Sequence, residues 1–142
     1  MTGLGLKFSS IVLQYADSGT VLIVSTLAAV GFENTVQLVH DVKLLLTAIM
    51  TSLIVWIVGL AVPVTASYII CAVIAAPALI KLGVAPFAAH MFIFYYAVLS
   101  EVSPPTALSP FAAAAITGGD PYKTTLQSWK YTMPAFLVPF MF

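Results

Sequence analysis

Apolar residues run along this chain in blocks too long and too uniform to be one face of a soluble fold. Leu44 to Ile80 is 37 residues without an Asp, Glu, Lys or Arg, Leu82 to Ser100 a further 19, and Val102 to Gly119 a further 18. A helix needs about 20 apolar residues to cross a bilayer, so the pattern predicts an all-α, polytopic integral membrane protein. Gly3 to Tyr15 reads as a short apolar piece closed by a turn at Asp17-Ser18-Gly19, and Thr20 to Phe32 as a half-span of 13 residues. Glu33 to Lys43 is the most polar window and belongs at an interface or in solvent. Leu44 to Gly59 is a strong helix, Ala66 to Leu82 a second arm kinked at Pro77, and Ala85 to Leu99 an aromatic-rich helix. Pro105 to Ile116 resumes the helix, Thr117 to Pro121 is a loop, and Thr125 to Phe142 is a last helix.

The punctuation between these blocks carries the chemistry. Ser100-Glu101-Val102-Ser103-Pro104-Pro105-Thr106 breaks an otherwise apolar stretch. Two prolines remove two backbone donors, and each disfavours helix in the residue before it. Gly59-Leu60-Ala61-Val62-Pro63-Val64-Thr65 breaks the 37-residue run in the same way, with no charge to hold its tip in water. Helix, break and helix in one uncharged run is either two spans with a tight loop or a hairpin that enters and returns. The re-entrant hairpin of about 44–82 is the favoured expectation, its arms meeting at Pro63, followed by a broken helix over about 85–117. A third break of the same kind opens the chain at Thr2, Gly3 and Gly5. Irregular backbone at membrane depth is tolerated where it lines a cavity or is buried in protein. Unwound carbonyls and hydroxyls are hard oxygen ligands for a small cation such as Na⁺, while half-helix N-termini attract anions. Gly59, Pro63, Thr65, Glu101, Ser103, Pro104, Pro105 and Thr106 are thus the candidate ion and substrate residues, with Thr2, Gly3 and Gly5 beside them and Ser67 ranked lower. Na⁺ is expected at Thr65, Ser103 and Thr106.

Composition narrows the class. The 142 residues are 61% hydrophobic and 7% charged, with a mean hydropathy of +1.08, against roughly 25% charged in an ordinary soluble domain. Five Lys balance five acids and Arg is absent, so there is no basic footprint for nucleic acid. The one cysteine, Cys71, lies in an apolar run, where packing is its expected role. Paired carboxylates, a histidine metal cluster and a nucleophile elbow are all missing, so no enzyme and no organic cofactor is read. The first residues lack the basic start and apolar core of a signal peptide. Both ends look cut, and one half of an inverted-repeat transporter, the C-terminal portion of a larger permease, is expected.

Three stretches resemble the membrane permease of tripartite ATP-independent periplasmic (TRAP) transporters, the fused permeases that work with TAXI-type binding proteins above all. They are Thr2 to Ser10, Pro63 to Gly83 with Ala75-Ala76-Pro77-Ala78-Leu79, and Ala88 to Pro121 through Ser103-Pro104-Pro105-Thr106-Ala107. Against that family's pattern, Ala61 replaces a Gly, Val64 a Thr, Glu101 a frequent Asp and Ser103 a frequent Thr. The resemblance implies a Na⁺-coupled, elevator-type secondary importer of small organic acids in a bacterial or archaeal cytoplasmic (inner) membrane. It also implies an extracytoplasmic solute-binding protein and the remaining permease helices as partners, besides the lipid bilayer.

The residues alone keep bland readings open beside these. Glu101 is either a coupling carboxylate or an interfacial acid at a helix end. His90 is read as a neutral, hydrogen-bonded histidine, the His40-Asp41 pair as solvated, and Tyr95-Tyr96 as part of an interfacial aromatic belt. The whole chain is either a transport component or a non-transporting element that packs on other helices through Ala112 to Ala115.

Overall fold

A computed structural model of the chain describes residues 3–29 and 36–141. Six α-helices follow one another: α1 (Leu4–Ala29), α2 (Val36–Gly59), α3 (Val64–Lys81), α4 (Pro86–Ser100), α5 (Leu108–Thr117) and α6 (Pro121–Thr132). Two 3-10 turns, Met133–Phe136 and Val138–Phe140, complete them, and no strand occurs among the described residues. Backbone hydrogen bonds closed within each segment are what a hydrocarbon solvent demands. Gly5–Ala29, Val36–Gly59 and Val64–Lys81 are long and apolar enough to cross a membrane, while α4 and α5 are shorter apolar helices. Large apolar side chains such as Val21, Leu22, Ile57, Ile69 and Val73 point outward, as they do on a lipid-facing surface. The molecule is a polytopic, all-helical membrane protein.

The first helix differs from the expectation. Asp17-Ser18-Gly19 makes no turn, and Thr20 opens no half-span; both lie inside α1. Local turn chemistry is overridden because each of the three residues has a helical use. The Asp17 carboxylate pairs with Lys43 of α2, and the Ser18 hydroxyl donates to the Gln14 carbonyl at 3.1 Å. Gly19 lets α2 approach, since a Cβ there would meet Leu46 Cδ1 at 3.1 Å. The polar window is likewise helical from Val36 on, with Gln37, His40 and Asp41 exposed; Glu33 and Asn34 lie outside the described residues.

Pro77 explains how α1 docks on α3. It has no N–H for the carbonyl four residues earlier, Val73, and its ring crowds that carbonyl. Against this opened turn stands Gly5, whose added Cβ would be 3.1 Å from the Val73 oxygen. One turn on, the Ser9 hydroxyl donates to the Ile74 carbonyl at 2.9 Å. The third glycine break of the sequence thus serves helix packing.

Helices α2 and α3 form a hairpin, with the chain reversing at Leu60–Pro63, and α4 packs against both. Their shared core is Val55, Cys71, Ala75, Ala76, Ile93, Tyr96, Ala97 and Leu99. Alanines dominate because small residues let helices approach where lipid supplies no hydrophobic drive. His90 accepts or donates with the Tyr68 hydroxyl at 3.1 Å, tying α3 to α4.

The last element also departs from the sequence reading. In place of a helix over 125–142, α6 begins at Pro121, capped by the Asp120 carboxylate on the Lys123 N–H at 2.9 Å, and stops at Thr132. Pro134 and Pro139 cannot donate to a continuing ladder, so the chain tightens into 3-10 turns. Two phenols hold those turns: Tyr95 donates to the Ala135 carbonyl at 3.1 Å and Tyr96 to the Phe136 carbonyl at 2.6 Å. The tyrosine pair is an internal clamp, with Tyr96 buried, and no aromatic belt.

Gly5→Leu should push α1 off α3 and lower stability by about 1–3 kcal/mol, the usual cost of overpacking. Gly3→Leu, where an added Cβ meets nothing within 4 Å, should change little. Thermal unfolding of the two variants in the same detergent checks the contrast.

Candidate functional site

The first break follows from Gly59 and Pro63. After Gly59 the ladder tightens: Leu60 N–H reaches the Trp56 and Ile57 carbonyls at 3.1 and 3.2 Å, and Ala61 N–H reaches Val58 at 3.0 Å. Pro63, extended at φ −57° and ψ 154°, starts α3. Unbroken helical bonding from Val58 to Tyr68 is absent, so α2 and α3 are two separate arms. Ser67 seals the inner side, its hydroxyl lying 3.0 Å from the Val62 carbonyl and 3.1 Å from that of Pro63.

The second break begins where α4 ends at Ser100. Glu101 N–H bonds to Val98 and Ser103 N–H to Ser100, each at 3.1 Å. Pro104-Pro105 is joined by a cis peptide bond, and Ala107 sits in the left-handed region at φ 32° and ψ 49°. That conformation favours glycine, so a fully buried alanine there stores strain, a condition that gathers at functional sites. The helix resumes at Leu108, later than Pro105.

The tertiary fold brings both breaks together. A Cβ added at Gly59 would stand 2.6 Å from the Ser100 Cβ and closer still to its Oγ. Backbone thus meets side chain at the last turns of α2 and α4. Beside this contact lies a cavity of about 240 Å³ lined by Gly59 to Pro63, Glu101, Thr106 and Leu108. Two helix C-terminal ends, α2 and α4, and two N-terminal ends, α3 and α5, flank these breaks. Such ends present unpaired carbonyls and N–H groups. No backbone donor among the described residues reaches the carbonyls of Leu60, Ala61, Pro105 or Thr106.

Hydroxyls decide which residues are free to act. Thr20, Thr47, Ser67, Ser100 and Ser103 each spend their proton on a carbonyl three to five residues back, and Ser9 shares its one proton between the Gly5 and Ile74 carbonyls. The buried Thr106 Oγ1 has no partner; among the described residues Thr51 Oγ1 and the Trp129 indole nitrogen share that state, and neither lines this cavity. Groups of this kind are exceptions that call for an explanation. Thr106 is the orphan hydroxyl on the wall, and Glu101 is the wall's carboxylate. The Ser109 hydroxyl lies 3.5 Å from Glu101 Oε2, at the limit of a hydrogen bond.

Of the sequence candidates, Gly59, Pro63, Glu101 and Thr106 line the cavity. Pro104 and Pro105 lie in the second break, between Glu101 and Thr106, and do not line the cavity. Ser103 is fully buried outside the lining, its proton on the Leu99 carbonyl at 3.0 Å. Thr65 is exposed and away from the cavity, because it points off the opposite side of α3 from Ser67, two residues on. Gly3 and Gly5 are separated from the site, Gly5 facing Val73, about 15 Å along α3 from Pro63. Thr2 lies outside the described residues. Sequence reasoning missed Ser100 as the counterpart of Gly59, and missed Trp56, whose indole N–H donates to Ser103 Oγ at 3.0 Å. Trp56 stands three residues before Gly59, hence on the same face of α2, and that spacing was its signal.

Broken helices around a small cavity in a polytopic membrane protein define a transport component. The family model of the tripartite ATP-independent periplasmic transporter DctM component matches residues 1–141. The chain belongs to that family, whose members are permeases of transport systems that work with a binding protein. No curated protein and no solved structure gave a match.

Gly59→Ala should strain the contact with Ser100 and reduce stability by about 1–3 kcal/mol. Adding Ser100→Gly removes the opposing atoms and should restore most of the loss. A thermal shift in detergent of the single and double variants checks this, and no recovery in the double variant would show that the Gly59 backbone does not meet the Ser100 side chain.

Proposed function

We propose that the cavity between the two breaks is the ion and substrate site of a Na⁺-coupled, binding-protein-dependent importer of small organic acids. The observation that carries this reading is the unpartnered, buried hydroxyl of Thr106, a residue that lines the cavity together with the unwound segment Gly59 to Pro63. A hydroxyl, free carbonyls and the Glu101 carboxylate make an all-oxygen donor set, which suits a small hard cation, whereas thiolate or imidazole ligands would favour transition metals. Helix C-terminal ends add partial negative charge for the cation, and the N-terminal ends of α3 and α5 add positive charge for a carboxylate.

In this reading the hairpin tip is re-entrant and lies within the bilayer, since nothing charged between Leu44 and Ile80 holds it in water. Gly59 to Thr106 moves as part of an elevator-like transport domain, loaded by an extracytoplasmic solute-binding protein of the TAXI type. The membrane is the cytoplasmic (inner) one of a bacterium or archaeon. Further permease helices cover the apolar outer faces; α5 packs on α6 and leaves Ala112, Ala113 and Ala115 exposed as a small-residue surface for them.

Thr106→Val keeps the shape of the side chain and deletes its oxygen. In proteoliposomes holding the assembled permease and its loaded binding protein, the Na⁺ concentration for half-maximal uptake should rise by about tenfold, one ligand's worth of affinity. Thr65→Val, off the cavity, should leave it unchanged. Equal Na⁺ dependence in the Thr106→Val variant and the wild type would remove the cavity from the coupling site.

A further inference from the structure

Trp56 reaches the second break from another helix and is held on two sides. Its indole N–H donates to Ser103 Oγ at 3.0 Å, across 47 positions of sequence. Behind it, its ring meets Phe136 edge-on, with centroids 6.2 Å apart and planes at 88°. Phe136 in turn is pinned through its carbonyl by the Tyr96 phenol.

The Ser103 hydroxyl has one proton and two lone pairs. The proton lies on the Leu99 carbonyl and one lone pair takes the Trp56 N–H. The Ser103 carbonyl then accepts the Ala107 N–H at 3.1 Å, closing the strained turn that contains Thr106. Ser103 is committed to the fold and does not line the cavity.

We infer that Trp56 is a positioning residue of the cavity: through the Ser103 hydroxyl it holds residues 103–107 in the turn that presents Thr106, so that a cation meets a preset ligand. This rests on the cation reading of the cavity given above. Its physical basis is pre-organisation, since a turn already ordered costs nothing to order on binding. Trp56 touches no ion itself and acts through Ser103.

Trp56 and Trp129 are the two tryptophans of the chain, so Trp129→Phe leaves Trp56 as the sole indole reporter. The full-length Trp129→Phe protein in phospholipid nanodiscs is titrated with NaCl, with choline chloride holding the ionic strength, while Trp56 emission is followed. A saturable response to Na⁺ is expected. Adding Ser103→Ala should shift the Na⁺-free emission, because the indole loses its acceptor, and raise the half-saturating Na⁺ by up to about tenfold, the scale of one neutral hydrogen bond. Adding Thr106→Val instead should raise the half-saturating Na⁺ by about tenfold and leave the Na⁺-free spectrum alone.

A second arm uses Trp56→Phe in the wild-type chain, read by binding of radiolabelled Na⁺. It keeps a ring against Phe136 and deletes only the donor, and should raise the midpoint by a similar factor. An unchanged midpoint in both the Ser103→Ala and Trp56→Phe proteins overturns the positioning role. A Na⁺-free shift with no response to Na⁺ in any protein overturns the cation reading and reduces Trp56 to a structural tie.

Discussion

The close approach of α2 and α4 at Gly59 and Ser100 is the constraint on which the rest of the site depends. Helices in lipid are held by packing and hydrogen bonds, so contact at backbone distance needs a residue without a side chain on one of them. Gly59 supplies it at the point where α2 must also stop. The same residue therefore ends a helix and admits its neighbour, and the two unwound segments come to share one cavity.

Hydrocarbon makes every buried polar atom expensive, and the chain answers with a uniform device. Serine and threonine hydroxyls fold back onto carbonyls of their own helix, which satisfies them without a partner helix. Ser9 and Ser103 extend the device: Ser9 adds a bond to α3 at the turn opened by Pro77, and Ser103 takes the Trp56 N–H from α2. Against that background the unpartnered hydroxyl of Thr106, a cavity-lining residue, stands out, whereas in water it would carry no information.

The C-terminal turns are the third support. Pro134 and Pro139 deny them a helical ladder, and the phenols of Tyr95 and Tyr96 take up two of the carbonyls this exposes. Phe136 and Phe140 then close an aromatic cluster with Trp56, Phe92 and Tyr96. Edge-to-face rings at these spacings add roughly 0.5–1.5 kcal/mol a pair. The cluster ties α2 to α4 through Trp56 and Tyr96, so the segment that looked like one more membrane helix instead braces this helix pair.

The sequence by itself determined the class and the two breaks. Long uncharged runs leave only helices as a way to satisfy the backbone in lipid, and Gly59, Pro63, Pro104 and Pro105 act through their own backbone geometry. The Ser103-Pro104-Pro105-Thr106 and Ala75-Ala76-Pro77 stretches also carried the family resemblance. What depended on contacts across the fold was not legible. Asp17-Ser18-Gly19 has turn chemistry, and only a lysine 26 positions on and the close pass of α2 keep it helical. Thr65 and Ser67 are equivalent as sequence, and the register of α3 turned one outward and the other inward. Gly5 and Gly59 both sit in helix-breaking stretches of the sequence, yet one meets the carbonyl exposed by Pro77 and the other meets Ser100. Which polar residues share a cavity is a property of helix register and helix pairing, set by contacts tens of residues apart, and the tertiary structure alone decided it.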